Sequence, residues 1–145
     1  MKHFRNKSWS TPLTRFVAAA LGVYWVALCV GTHVPGRCVG TPLISDKAIH
    51  FLAYAGLSFL IATLLPLLGV RGWRVYGGAL IVAACYGAID ELGQIPVPGR
   101  TADIADWWAD VAGAVAGLTC YWLMVAAALR RPSSWLQLQK KPSPP

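Results

Sequence analysis

"GGALIVAACYGAIDELGQIPVPGRTADIADWWADVAGAVAGL" occupies residues 77–118. Both ends of this stretch are almost wholly apolar, while its middle is crowded with carboxylates and turn residues. In "GGALIVAACYGAI" the apolar side chains fall all round the helical wheel, as in a helix surrounded by apolar material. The centre, "IPVPGR", holds two prolines and a glycine and forces a turn. The stretch therefore reads as two antiparallel helices. Their junction carries Asp90, Glu91, Asp103, Asp106 and Asp110, five of the six acidic residues in a chain of 145.

Outward from this junction the same character continues. A helix needs roughly 20 mostly apolar residues to cross a bilayer. Four stretches qualify: residues 16–32, 48–70, 73–95 and about 107–129. Charged residues make up 13% of the chain, against about a quarter in soluble domains. Seven tryptophans suit the headgroup level of a membrane. The expected fold is all-α, a polytopic four-helix transmembrane bundle. A basic arm (1–15) precedes the membrane domain (16–130), and a flexible tail (131–145), with Trp135 near the interface, follows it.

Charge sets the expected orientation. Four spans put ten of the thirteen basic residues on one side: Lys2, Arg5, Lys7, Arg15, Arg71, Arg74, Arg130, Arg131, Lys140 and Lys141. Arg37, Lys47 and Arg100 fall on the other. The positive-inside rule then makes both termini cytoplasmic and the protein a multi-pass component of a cytoplasmic membrane. The net charge of +7 is a collar for anionic lipid. It is split among short segments and forms no single stripe for nucleic acid. No small-x-small cleavage site follows the first apolar run, which reads as an uncleaved span. Cys29, Cys85 and Cys120 fall within spans as small packing residues, and nothing in the spacing supports a Cys29–Cys38 bridge.

The same topology puts all six acids on the outer side. At about 1.5 Å per residue, His50, Asp90 and Asp110 lie roughly 24 to 32 Å above the basic end, near one depth. Asp46, His50 and Tyr54 are spaced by four and share a helical face, with Asp46 placed to cap the helix. Asp103, Asp106 and Asp110 form a second stripe, which Gly113 and Gly117 continue. Glycines at this spacing permit close helix approach. Asp90 and Glu91 are adjacent and cannot share a face. Gln94 is in reach of either, and Arg100, across the turn, is their expected partner. Carboxylates at this depth need a cation, a shared proton or a wet cavity. The acids are expected to line one pocket opposite Lys47, His50 and Arg100.

These segments resemble the VanZ-like integral membrane proteins. The resemblance rests on "DKAIHFLAY" (Asp46, Lys47, His50, Phe51, Tyr54) and "ELGQIPVPGRTADIAD" (Glu91, Gln94, Pro98, Gly99, Arg100, Asp103, Asp106). Gly113 and Gly117 follow the final acid, and the matching parts cover about residues 45–117. Asp110 departs from the pattern, standing where the family typically has Asn, and adds a negative charge. The resemblance implies a bacterial cell-envelope protein and, through the family's namesake, a link to teicoplanin resistance. It implies no agreed chemistry.

Several functions fit these residues. One is a binding factor for a polar headgroup or cell-wall precursor at the outer leaflet, through Lys47, His50 and Arg100. A second is a membrane enzyme acting on a lipid-linked phosphate or sugar. There, His50, Glu91 and Asp106 are the catalytic candidates, Asp and Glu offer oxygen ligands to a divalent cation, and Arg100 holds a phosphate. Ion-coupled transport ranks lower, because the acids sit at one face and not at the midplane. A structural membrane subunit is the plainest reading. No GxGxxG, P-loop or nucleophile elbow is present in the sequence.

Overall fold

The computed structural model of the chain describes residues 11–35 and 45–130. Four α-helices follow one another: α1 (Pro12–His33), α2 (Asp46–Leu67), α3 (Trp73–Gln94) and α4 (Ile104–Leu129). No strand occurs among the described residues. All four are long and apolar enough to cross a membrane. Arg37, Cys38, the Cys29–Cys38 pairing and the 131–145 tail lie outside the described residues.

Local chemistry sets where each helix begins and ends. α1 starts at Pro12, ahead of the expected span, because Thr11 accepts a hydrogen bond from the Thr14 N–H and Pro12 needs no amide partner. Arg15 therefore lies inside the first helix. α2 is capped by Ser45, whose hydroxyl accepts from the Ala48 N–H. Asp46, expected as the cap, instead occupies the first turn, where the positive end of the helix dipole favours it. α2 ends at Leu67, after Pro66 in its last turn, and the short link to α3 uses Gly69 and Gly72 at positive φ (92° and 63°).

The core is built from Leu21 and Leu28 of α1, Tyr54, Leu57, Ile61 and Ala62 of α2, Val75, Ala79 and Ala83 of α3, and Ala114, Leu118 and Tyr121 of α4. Large apolar residues such as Phe16, Val26, Ile81, Ile89, Trp122 and Leu123 face outward. Cys29, Cys85 and Cys120 are also on the outside of the bundle and not in its packing. An exterior this apolar is matched to hydrocarbon, so what holds the helices together is close packing and interhelical hydrogen bonds. Both are concentrated between α2 and α4, the most closely packed pair. Gly113 lies against the backbone carbonyl of Phe51, and Gly117 against that of Ala55. The Ser58 hydroxyl donates to the Ala114 carbonyl at 2.9 Å. α1 packs on α2 and α3, pinned by the Tyr24 hydroxyl donating to the Ala53 carbonyl at 2.8 Å.

A β-carbon at Gly113 or Gly117 would overlap backbone that cannot move aside, whereas one at Gly22 meets nothing within 4 Å. Gly113→Ala and Gly117→Ala should each destabilise the bundle by about 1–3 kcal/mol. Gly22→Ala should be neutral or stabilise by up to about 1 kcal/mol. Thermal unfolding of the purified protein in detergent measures the difference.

Candidate functional site

One end of the bundle gathers nearly all the buried charge. It is formed by the C-termini of α1 and α3 and the N-termini of α2 and α4. His50, Asp90, Glu91, Gln94, Asp106 and Asp110 are all buried there. The parallel course of α2 and α4 brings the two sequence stripes face to face.

An outer tier is closed by permanent cations. Lys47 Nζ donates to Asp103 Oδ2 at 2.9 Å and to Asp106 Oδ1 at 2.7 Å. Asp103 is the N-cap of α4, in extended backbone conformation, so it stands off the helical stripe and accepts from the Ala105 N–H at 2.9 Å. That backbone bond, together with Lys47, holds its carboxyl below the usual carboxylate range. Arg100 does not meet Asp90 or Glu91 as expected. Gly99, at φ 79°, ends the turn, and the Arg100 guanidinium is 3.7 Å from Asp46 Oδ1 and donates to the Val34 carbonyl at 3.3 Å. It ties the end of α1 to the start of α2.

An inner tier has imidazole as its only cationic group among the described residues. His50 Nδ1 is 2.9 Å from Asp110 Oδ1 and 3.8 Å from Glu91 Oε1. Asp110 is fully buried, in space left by Gly87, where a β-carbon would lie 2.8 Å from Asp110 Oδ2. Glu91 Oε2 accepts the Asp103 N–H at 2.9 Å, linking the end of α3 to the start of α4. Asp90 points the other way, toward α1. There, the Thr32 hydroxyl donates to it at 2.8 Å, and His33 Nδ1 is 3.9 Å away. Gln94, expected to bond Asp90 or Glu91, bonds neither, and its amide nitrogen has no partner among the described residues. The same holds for the Tyr54 hydroxyl, Asp90 Oδ2, Glu91 Oε1 and Asp110 Oδ2.

The structure thus brings Lys47, His50, Glu91, Asp103, Asp106 and Asp110 together. Asp46 and Arg100 stand at the rim, and Tyr54 is one turn deeper than His50. Thr32, His33 and Gly87 belong to the same end but were not singled out from the sequence. Their roles arise between helices, and no spacing within α1 or α3 points to them.

Glu91 places a buried negative charge near the C-terminus of α3, the negative end of its dipole. A glutamine keeps a carbonyl oxygen for the Asp103 N–H and removes the charge. With EDTA present, Glu91→Gln should therefore raise the thermal midpoint, by a stabilisation on the order of 1 kcal/mol. A lowered midpoint would show that the charge is compensated within the protein.

No curated protein and no solved structure matches the chain. The VanZ/LLP1 family model matches residues 4–125, which takes in α1 to α3, most of α4 and every residue of the polar end described above. This multi-pass membrane protein belongs to the VanZ/LLP1 family.

Proposed function

We propose that the protein is a cell-envelope factor that binds the headgroup of a lipid-linked envelope precursor at the outer leaflet of a bacterial cytoplasmic membrane. The observation that carries this reading is a groove of about 370 Å³ between the end of α3 and the start of α4. Ala88, Leu92, Ile104 and Trp107 give it apolar walls, and Glu91 and Asp103 meet it on the polar side. Such a groove suits a lipid chain lying along the helices with its headgroup at the carboxylates. Lys47 and Arg100 are already engaged with Asp103, Asp106 and Asp46. The charged groups that line the groove, Glu91 and Asp103, are acceptors, which favours sugar hydroxyls or amines over a bare phosphate. The ten basic residues assigned to the opposite end support both termini being cytoplasmic and this end facing outward.

The buried His50–Asp110 pair favours a second reading, a phosphate- or sugar-lipid hydrolase or transferase. An imidazole oriented by a carboxylate is a common general base, and His50, Glu91 and Asp106 would be its catalytic groups. In either case, family membership extends the proposal to glycopeptide susceptibility, with teicoplanin as the first compound to test.

Cells expressing wild type, Glu91→Gln or Asp106→Asn at equal membrane levels separate these readings by mass spectrometry of envelope lipids and precursors. A lipid-linked species that co-purifies with wild type and is lost from Glu91→Gln supports binding. A species consumed or produced only by wild type supports catalysis. With no co-purifying species and identical profiles, both readings fail and a structural role stands. A C-terminal reporter active only in the cytoplasm should be active, and an inactive one would reverse the orientation.

A further inference from the structure

His50, Glu91 and Asp110 place one imidazole nitrogen and two carboxylate oxygens within 4.8 Å of one another. All three side chains are more than nine-tenths buried. Each carboxylate keeps one oxygen, Glu91 Oε1 and Asp110 Oδ2, without a hydrogen-bond partner among the described residues. Tyr54 is fully buried one turn below His50, and its hydroxyl has no hydrogen-bond partner among the described residues. The charges around that hydroxyl include Asp110, Asp90 and Glu91.

The inner carboxylates have to be balanced by a cation or by a proton. Lys47 is taken by Asp103 and Asp106, and Arg100 by Asp46. Even a fully protonated His50 balances only one of the two carboxylates it faces. An uncompensated buried carboxylate costs several kcal/mol, more than any hydrogen bond present here returns. Mixed nitrogen and carboxylate donors suit a borderline first-row ion. Mg²⁺ and Ca²⁺ take oxygen ligands. Bonds of about 2.0–2.2 Å in tetrahedral geometry separate donor atoms by roughly 3.3–3.6 Å. His50 Nδ1 lies 3.8 Å from Glu91 Oε1, close to that range, and 2.9 Å from Asp110 Oδ1, a hydrogen bond whose proton is released when an ion takes its place. Glu91 also lines the groove between α3 and α4, which gives an ion a way in.

We infer that His50, Glu91 and Asp110 form a binding site for one divalent first-row transition ion of the Zn²⁺ or Mn²⁺ kind. The inference does not depend on what the groove holds. A neighbouring trio, Asp46, His50 and Asp106, has comparable spacing. Its carboxylates, however, each already face a permanent cation, Arg100 beside Asp46 and Lys47 beside Asp106, so it serves as the internal control.

The test uses the full chain, purified in detergent without a polyhistidine tag, stripped with EDTA and titrated calorimetrically with Zn²⁺ alone. One equivalent should bind. Glu91→Gln and Asp110→Asn should each weaken binding by about tenfold or more, and Asp46→Asn should leave it unchanged. Zn²⁺ should also raise the wild-type thermal midpoint and leave that of Glu91→Gln in place. Pulsed electron paramagnetic resonance of Mn²⁺-loaded wild type should detect one coupled imidazole nitrogen, a readout that needs no variant to fold. Absence of Zn²⁺ binding by monodisperse wild type, or unchanged binding in both Glu91→Gln and Asp110→Asn, overturns the site. An equal loss in Asp46→Asn overturns it in favour of the neighbouring trio.

Discussion

The polar end of this protein depends on the contact between two parallel helices. Where Gly113 and Gly117 of α4 lie against the Phe51 and Ala55 carbonyls of α2, the helices are too close for side chains to intervene. One register follows along the whole seam: Lys47 beside Asp106, His50 beside Asp110, Ser58 beneath the Ala114 carbonyl. A slip by one helical turn, about 5.4 Å, would separate each of these pairs. In hydrocarbon the helices gain nothing from hiding apolar surface from one another. Steric fit therefore has to choose the register, and the glycines supply it. The charges are then held where the packing puts them.

Within that frame, charge is graded by depth. Permanent cations serve the rim, where Lys47 and Arg100 face Asp46, Asp103 and Asp106. Below the rim, the cationic groups that face Asp90, Glu91 and Asp110 among the described residues are the imidazoles of His33 and His50. The order is physically reasonable. Lysine and arginine carry their heads toward water on long stems, and a guanidinium or ammonium is expensive to bury. Imidazole can be buried neutral and still accept or donate a hydrogen bond. The result is a rim whose every carboxylate has a permanent cation beside it, above a layer that has only imidazoles.

Much of this was legible in the sequence because it is periodic. The four apolar runs, the His50 and Tyr54 face, the Asp106 and Asp110 stripe and the packing glycines all follow from spacing within one helix. What spacing could not show lies between helices or at their ends. Arg100 goes to Asp46 and Val34 because the positive φ of Gly99 redirects the chain. Ser45 takes the cap expected of Asp46, and Asp103 leaves its stripe by becoming a cap itself. Thr32 and His33 gain meaning only because α1 packs beside Asp90. Gln94, well placed on paper for both neighbouring acids, ends without a partner for its amide nitrogen.

Helix polarity sharpens the contrast between the acids. α2 and α4 present their N-termini to the polar end, where partial positive charge stabilises Asp46, Asp103 and Asp106. α1 and α3 present C-termini, where the partial charge is negative. Asp90 and Glu91 sit near the end of α3, buried and against the dipole, with one oxygen each left unpartnered. A chain selected for stability alone would carry amides or apolar residues at these positions, since neutral replacements for buried charge are often neutral or stabilising. Local rules broken without local compensation are expected where a protein binds or reacts. Glu91 breaks them most plainly. It opposes its helix dipole, faces His50 and Asp110, and is the one inner-tier carboxylate that reaches the groove.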